Sequence, residues 1–168
     1  MELIMIRHAV AEEREEFAKK GLEDYMRPLT LKGRKRLQKV CMRLHDFIKD
    51  IDLIVSSPLV RARQSAEIVS QIFYETKVVE VPELVPQSPP PAFLKWLRTQ
   101  GRHHRRIVMV GHEPHMSSFA SYMLSGKSES FIDLKKSGLL ILQFEDFAHA
   151  EAGRAQLICS IPPKFMAL

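Results

Sequence analysis

The sequence predicts an α/β domain: a largely parallel sheet covered by helices on both faces. Two observations carry this. Short apolar strand candidates alternate with helical periodicities along the chain. Four consecutive strand candidates are also followed by polar or charged side chains. In an open parallel sheet those ends share one rim, and ligands bind there.

The first strand is Glu2 to Ile6, four apolar residues after Glu2 that run straight into Arg7 and His8. A loop through Gly21 to Pro28 follows, then a helix from Leu31 to Lys49. Leu37, Val40, Cys41, Leu44 and Ile48 recur at i, i+3, i+4 and i+7 along it, and Thr30 is placed to cap its first turn. The second strand, Asp52 to Val55, leads through Ser56 and Ser57 to Pro58, which is expected to open a helix whose buried face is Ala62, Ala66, Val69, Ile72 and Phe73. A third strand, Lys77 to Val81, ends at the proline-rich VPELVPQSPPP. After it come a short helix through Phe93, Leu94 and Leu97 and the strongest strand signal, Ile107 to Val110. Helical pattern resumes after Pro114 and stops near Gly126, and strands at Leu139 to Phe144 and Gln156 to Ile161 complete one domain spanning 1–168.

Bulk properties exclude several classes. No apolar run approaches the roughly 20 residues of a membrane span, and charge arrives too soon after the N-terminal apolar run for a secretory signal. A cytoplasmic protein with reduced cysteines is expected, Cys41 lying on the buried stripe. Neither cysteine opens a C-x5-R phosphate loop, because Phe47 and Phe165 stand where arginine is needed. The net charge of +5 comes with basic clusters at Lys32 to Lys39 and Arg102 to Arg106. Without interleaved aromatic residues, these read as solvated surfaces rather than a nucleic-acid site.

The rim is where chemistry is expected. Arg7 and His8 follow the first strand, Ser57 and Arg61 the second, Glu83 the third and His112 the fourth. Arg7 and Arg61 can each fork onto phosphate oxygens, with Arg27 of MRPLT as a third cation. Two histidines supply a nucleophile and a second charge-holding group, which is what phosphoryl transfer requires. Arg61 on a helix is otherwise a solvated charge, and His112 alone fits a satisfied core histidine equally well. Beside His8 the ligand reading of both prevails. Glu83 fits a water-facing carboxylate as well as a proton donor, Ser57 is expected to cap the next helix, and His115 is left at the rim or behind it. A metal site is not expected. His112 and His115 are three apart with Pro114 between them, not the spacing of a zinc-protease helix. No Walker loop is present and no cofactor is expected.

RHA at 7–9, RPLT at 27–30, SSPLVRARQSAEI at 56–68, PEL at 82–84 and VGHEPH at 110–115 resemble the histidine phosphatase superfamily. The small-domain form with RPLT after the first strand resembles bacterial phosphohistidine phosphatases of the SixA type. The resemblance implies a phosphoglycerate mutase-like fold, a three-layer sandwich with a mixed, mostly parallel sheet. It makes His8 the transiently phosphorylated nucleophile, with Arg7, Arg61 and His112 as phosphoryl ligands and Arg27 as a fourth. Glu83 stands where larger relatives carry a proton donor. The family usually has glycine where Ala9 stands, so the backbone there is expected in an ordinary region.

His8 should be neutral, its arginine neighbours disfavouring protonation, with its other ring nitrogen donating to a backbone carbonyl. His112 is expected to be more useful protonated, a state that bound phosphate would favour. About 25 residues separate Pro82 from the fourth strand, little from which to build a lid. An open pocket and imidazole's easy departure both suit a phosphohistidine-containing protein. A broad-specificity phosphomonoesterase, a phosphorylated small molecule as substrate, and a catalytically weak phospho-ligand module are the alternatives.

Overall fold

The computed structural model of the chain describes residues 1–167. Six strands form one sheet: β1 (Glu2–Arg7), β2 (Leu53–Ser56), β3 (Val78–Glu80), β4 (Arg106–Gly111), β5 (Leu139–Gln143) and β6 (Gln156–Ile161). Their order across the sheet is β3-β2-β4-β1-β5-β6. The first four are mutually parallel, whereas β5 runs antiparallel to β1 and β6 antiparallel to β5.

Side chains alternate along a strand, so a strand covered on both sides sends odd and even positions into different layers. Leu3, Met5, Leu53, Val55, Ile107 and Met109 pack one layer with Phe93, Leu97, Met116 and Phe119. Ile4, Ile6, Ile54, Val108 and Val110 pack the other with Leu37, Val40, Cys41, Leu44, Ala62, Ala66 and Val69. The helices concerned are α2 (Leu31–Phe47) and α3 (Val60–Ile72) on the second face, α4 (Pro90–Thr99) and α5 (His115–Ser125) on the first. Two short helices, α1 (Arg14–Ala18) and α6 (Pro163–Met166), complete the set. Among them none is long and apolar enough to cross a membrane.

Several element ends differ from expectation for local reasons. The loop before α2 contains α1 and a 3-10 turn at Asp24–Met26. Thr30 caps α2 as expected, accepting from Gly33 N at 3.0 Å. The helix stops at Phe47 because Ile48 turns extended and packs against the second-face core. Pro58 does not open α3. Leu59 is still extended (φ −66°, ψ 136°), and the helix starts at Val60, which puts Arg61 in its first turn. His45 is half-buried and edge-on to Phe73. Gly126 ends α5 in the left-handed region at φ 78°, a conformation glycine adopts without a Cβ penalty.

Candidate active site

The carboxyl ends of β2, β4 and β1 are neighbours and point the same way, so Ser57, His112, Arg7 and His8 converge by topology alone. The ladder continues one step beyond the strands, with His8 N donating to Gly111 O at 3.0 Å and Ser57 N to Val110 O at 3.1 Å. The loop carrying Arg27 is drawn to this rim by an antiparallel bridge between Ala11 and Leu29 and by Glu12 N donating to Pro28 O. Leu29 N also donates to Gln64 Oε1 at 2.9 Å, tying RPLT to α3.

A cavity of about 600 Å³ results, lined by Arg7, His8, Arg27, Arg61, His112 and Lys136, among others. Its outer wall includes the exposed residues Glu13, Arg14, Tyr25 and Gln87. Helix α4 does not cover it, since Phe93, Leu94 and Leu97 are spent on the core.

His8 is buried, and its Nδ1 donates to Ala9 O at 2.7 Å, which leaves the lone pair of Nε2 free. The expected backbone anchor is therefore present. Its pKa is lowered to about 3, first by burial and then by Arg61, Arg7 and Lys136, with the Ala9 bond opposing. Burial thus outranks the like charges invoked from sequence. Ala9 has no positive φ and its N–H donates to Ser65 Oγ at 3.1 Å, while Ser65 Oγ donates to Arg61 O at 2.7 Å.

His112 lies with its ring centroid 5.0 Å from that of His8. Burial, then the proximity of His8 and Arg61, lowers its pKa to about 2, so the free protein holds it neutral. The protonation expected of His112 is one that bound phosphate favours; the dry, cationic pocket by itself keeps the ring neutral. Ser57 does not cap α3 as expected. Its Oγ lies 2.8 Å from His112 Nε2, and Leu59 N reaches it only at 3.4 Å. With Ser57 donating to Nε2, the ring proton resides on Nδ1 and can be given to an oxyanion.

Arg7 Nη1 donates to Leu134 O at 2.8 Å, which fixes the guanidinium at the cavity. Arg61 is almost wholly buried, and its Nη1 donates to Asp24 O at 3.0 Å. Arg27 donates through Nε to Asp24 Oδ1 at 2.9 Å and through Nη1 to Glu12 O at 2.7 Å. Arg7 Nε, Arg61 Nε and His112 Nδ1 are buried with no partner among the described residues. These are donors a phosphoryl group can satisfy.

Two residues here had no motif to announce them. Asp24 ion-pairs with Arg27, Arg61 and Arg14. Burial works against its charge, but the Arg27 bond and the nearby guanidinium charges hold its carboxyl below the ordinary value of 3.8. Lys136 arrives from the segment before β5, where Ser137 adopts φ 61° and its N–H donates to Arg7 O and His8 O.

Glu83 is not brought to the cavity. The 3-10 turn Pro82–Leu84 buries Leu84 in the core, and Val85, Pro86 and Gln87 reach the lining instead. The cavity's carboxylates are Glu13, Asp24 and Glu113, the last bonded to the N–H and hydroxyl of Ser117. His115 lies behind the site among Phe93 and Phe119, with neither ring nitrogen partnered among the described residues. No three His, Cys, Asp or Glu side chains among the described residues are grouped to hold a metal ion.

Comparison with known proteins points the same way. The profile of the histidine phosphatase superfamily (branch 1) matches residues 3–85. An uncharacterized protein of Picosynechococcus sp. is 35% identical over 144 residues, 85% of each chain. The solved structure of the protein histidine phosphatase SixA complexed with tungstate superposes with a TM-score of 0.82 at 19% identity, covering 98% of this chain and 99% of that one. The alpha-ribazole phosphatase of Shigella flexneri gives 0.71 at 17% identity, over 97% of both chains. These likenesses bear out the expected α/β fold, a mixed six-stranded sheet between two helical layers.

Proposed function

The chain belongs to the histidine phosphatase superfamily, and from that premise we propose that it hydrolyses phosphohistidine in a protein by way of a covalent phosphoryl group on His8. The observation that carries this reading is His8 itself: Nδ1 committed to Ala9 O, Nε2 unprotonated, and two arginines and a second histidine around it.

In the first step Nε2 of His8 attacks phosphorus, forming a P–N bond as the bond to the leaving group breaks. Arg7, Arg61, Arg27 and His112 Nδ1–H hold the equatorial oxygens, supplying positive charge and donors where charge is carried. The His8 ring becomes cationic as it takes up the phosphoryl group, and its Nδ1–H bond to Ala9 O stabilises that charge. In the second step water attacks phosphorus, inorganic phosphate leaves, and His8 returns neutral with its Nδ1 proton never displaced.

A phosphohistidine ring already protonated on its other nitrogen departs as neutral imidazole. With a reference pKa of roughly 6.5 that proton comes from solvent, so little acid assistance is needed. An alkoxide would need a well-placed acid, and Glu83 is not in the cavity lining. Low demand for an acid therefore supports phosphohistidine over a phosphomonoester. A cytoplasmic setting is part of the proposal, in keeping with the free thiols of Cys41 and Cys159.

The test uses a phosphohistidine peptide and p-nitrophenyl phosphate, both with EDTA, on the wild type and on His8→Ala. The reading requires turnover of the peptide, its loss in the variant, and acid-labile phosphate on wild-type protein quenched during turnover. Faster hydrolysis of phosphate monoesters than of phosphohistidine would replace it with the broader phosphomonoesterase.

A further inference from the structure

A second cavity, of about 570 Å³, adjoins the first and shares Arg7 and Lys136 with it. Val10, Pro162 and Pro163 supply apolar wall, and Arg36, Lys135 and Lys164 add cations. Among the described residues its one carboxylate is Asp133, already paired with Lys135. Arg36 and Lys136 have no acidic partner among the described residues, and the Lys164 ammonium sits 4.8 Å over the Phe165 ring. Arg36 belongs to the basic run Lys32 to Lys39. Lys32, Lys35 and Lys39 of that run are exposed, whereas Arg36 is half-buried against this cavity.

The placement follows from topology. Strand β5 is antiparallel to β1 with Ile6 opposite Leu139, so the segment just before β5 abuts the carboxyl end of β1. The two strands thereby set Lys136 beside His8 and at the mouth of the neighbouring cavity. Chain entering the catalytic cavity from this side must cross Lys136 and lie against Arg36 and Lys164.

We infer that this annex seats an acidic segment of the phosphoprotein flanking the phosphorylated residue, an inference that rests on the phosphohistidine reading above. Unneutralised cations select carboxylates, and apolar wall between them suits side-chain stems and aliphatic residues rather than a uniformly charged polymer. No aromatic side chain lines the annex, so it offers no stacking platform for bases.

Binding can be read without catalysis. A fluorescein-labelled peptide alternating glutamate with leucine, its glutamine counterpart and a single-stranded RNA are titrated against wild type and the double variant Arg36→Glu/Lys164→Glu. Neither substituted residue lines the catalytic cavity. The acidic peptide should bind the wild type, weaken as salt rises from about 50 to about 200 mM, and bind the double variant roughly tenfold more weakly. Turnover of p-nitrophenyl phosphate should be unchanged by the substitutions. Equal binding by both proteins, equal binding of the glutamine peptide, or tighter binding of RNA would overturn the inference. So would loss of p-nitrophenyl phosphate turnover in step with peptide binding. Acidic-peptide binding by a protein that leaves phosphohistidine intact would remove the substrate reading and retain the annex.

Discussion

Arg61 is gripped by Asp24 at two points: its Nη1 lies 3.0 Å from the Asp24 carbonyl oxygen and 3.3 Å from Oδ2. The same carboxylate accepts from Arg27 Nε at 2.9 Å. One aspartate therefore fixes two of the guanidinium groups proposed to hold the phosphoryl group, leaving Arg61 Nε free. Asp24→Asn keeps the size and one acceptor but loses the charge. Reduced positioning should lower kcat/KM for p-nitrophenyl phosphate by about tenfold. Asp24 titrates below its ordinary 3.8 in the folded state. Its stabilising contribution is accordingly full above that value and fades as pH falls through the depressed folded pKa. The stability gap between wild type and variant should therefore close on acidification, as read by urea midpoints. A gap independent of pH would count against the ion pairs.

Ser57→Ala removes the hydroxyl that faces His112 Nε2 at 2.8 Å. The ring then loses the partner that places its proton on Nδ1, the unpartnered nitrogen proposed to donate to the phosphoryl group. Turnover should fall by roughly tenfold, with folding stability little changed. The hydroxyl-bearing Ser57→Thr should recover part of it. If Ser57 merely capped α3, the loss would appear in the urea midpoint and not in kcat.

The parallel part of the site was legible because the rule is topological: Arg7, His8, Ser57, Arg61 and His112 each end or follow a strand in the parallel set, and the sheet delivers them to one edge. Glu83 obeyed the same pattern and fails on a local detail, a 3-10 turn that commits Leu84 to the core and brings Val85, Pro86 and Gln87 to the lining in place of Glu83. Asp24 lies in EDYM, which has no periodicity and no strand before it. Lys136 was hidden for a different reason. It precedes β5, and only an antiparallel strand brings its beginning to the rim where parallel strands end. Recognising β5 as antiparallel would have exposed it; alternation and length alone do not fix direction.

Glu83→Gln tests the local detail directly. With Glu83 outside the lining of the cavity, the variant should keep kcat for both p-nitrophenyl phosphate and a phosphohistidine peptide within about twofold. A large drop confined to the ester substrate would restore Glu83 as the proton donor to an alkoxide.

Gly33 sits in the first turn of α2, and a Cβ built there would fall inside the van der Waals envelope of the Val10 carbonyl oxygen. That oxygen already accepts from Thr30 N at 3.0 Å and from Thr30 Oγ1 at 3.2 Å. The clash is with backbone, which cannot rotate aside. Despite alanine's better helix propensity, Gly33→Ala should destabilise the fold by about 2 kcal/mol, measured by urea unfolding. Because Val10 closely follows His8, the same substitution should also reduce turnover. A stabilised variant would mean that α2 does not approach Val10 this closely.

His115 contributes to the acid limb of stability. It is buried beside Phe93 and Phe119, and burial lowers its pKa from 6.5 to about 4. Between those values the unfolded chain binds a proton that the folded chain does not, so stability is lost as pH falls from about 6.5 toward 4. Each such histidine adds up to about 1.4 kcal/mol per pH unit to that slope. His8 and His112 are shifted in the same direction, and they cannot be replaced without touching the site. His115→Leu can be, because His115 does not line the cavity. Leucine removes the titration and two unpartnered buried nitrogens while keeping similar volume. The variant should therefore gain on the wild type progressively below pH 6.5 and retain neutral-pH turnover within about twofold. Parallel urea midpoints for the two proteins from pH 7 to pH 4.5 would show that His115 is charged in the folded state.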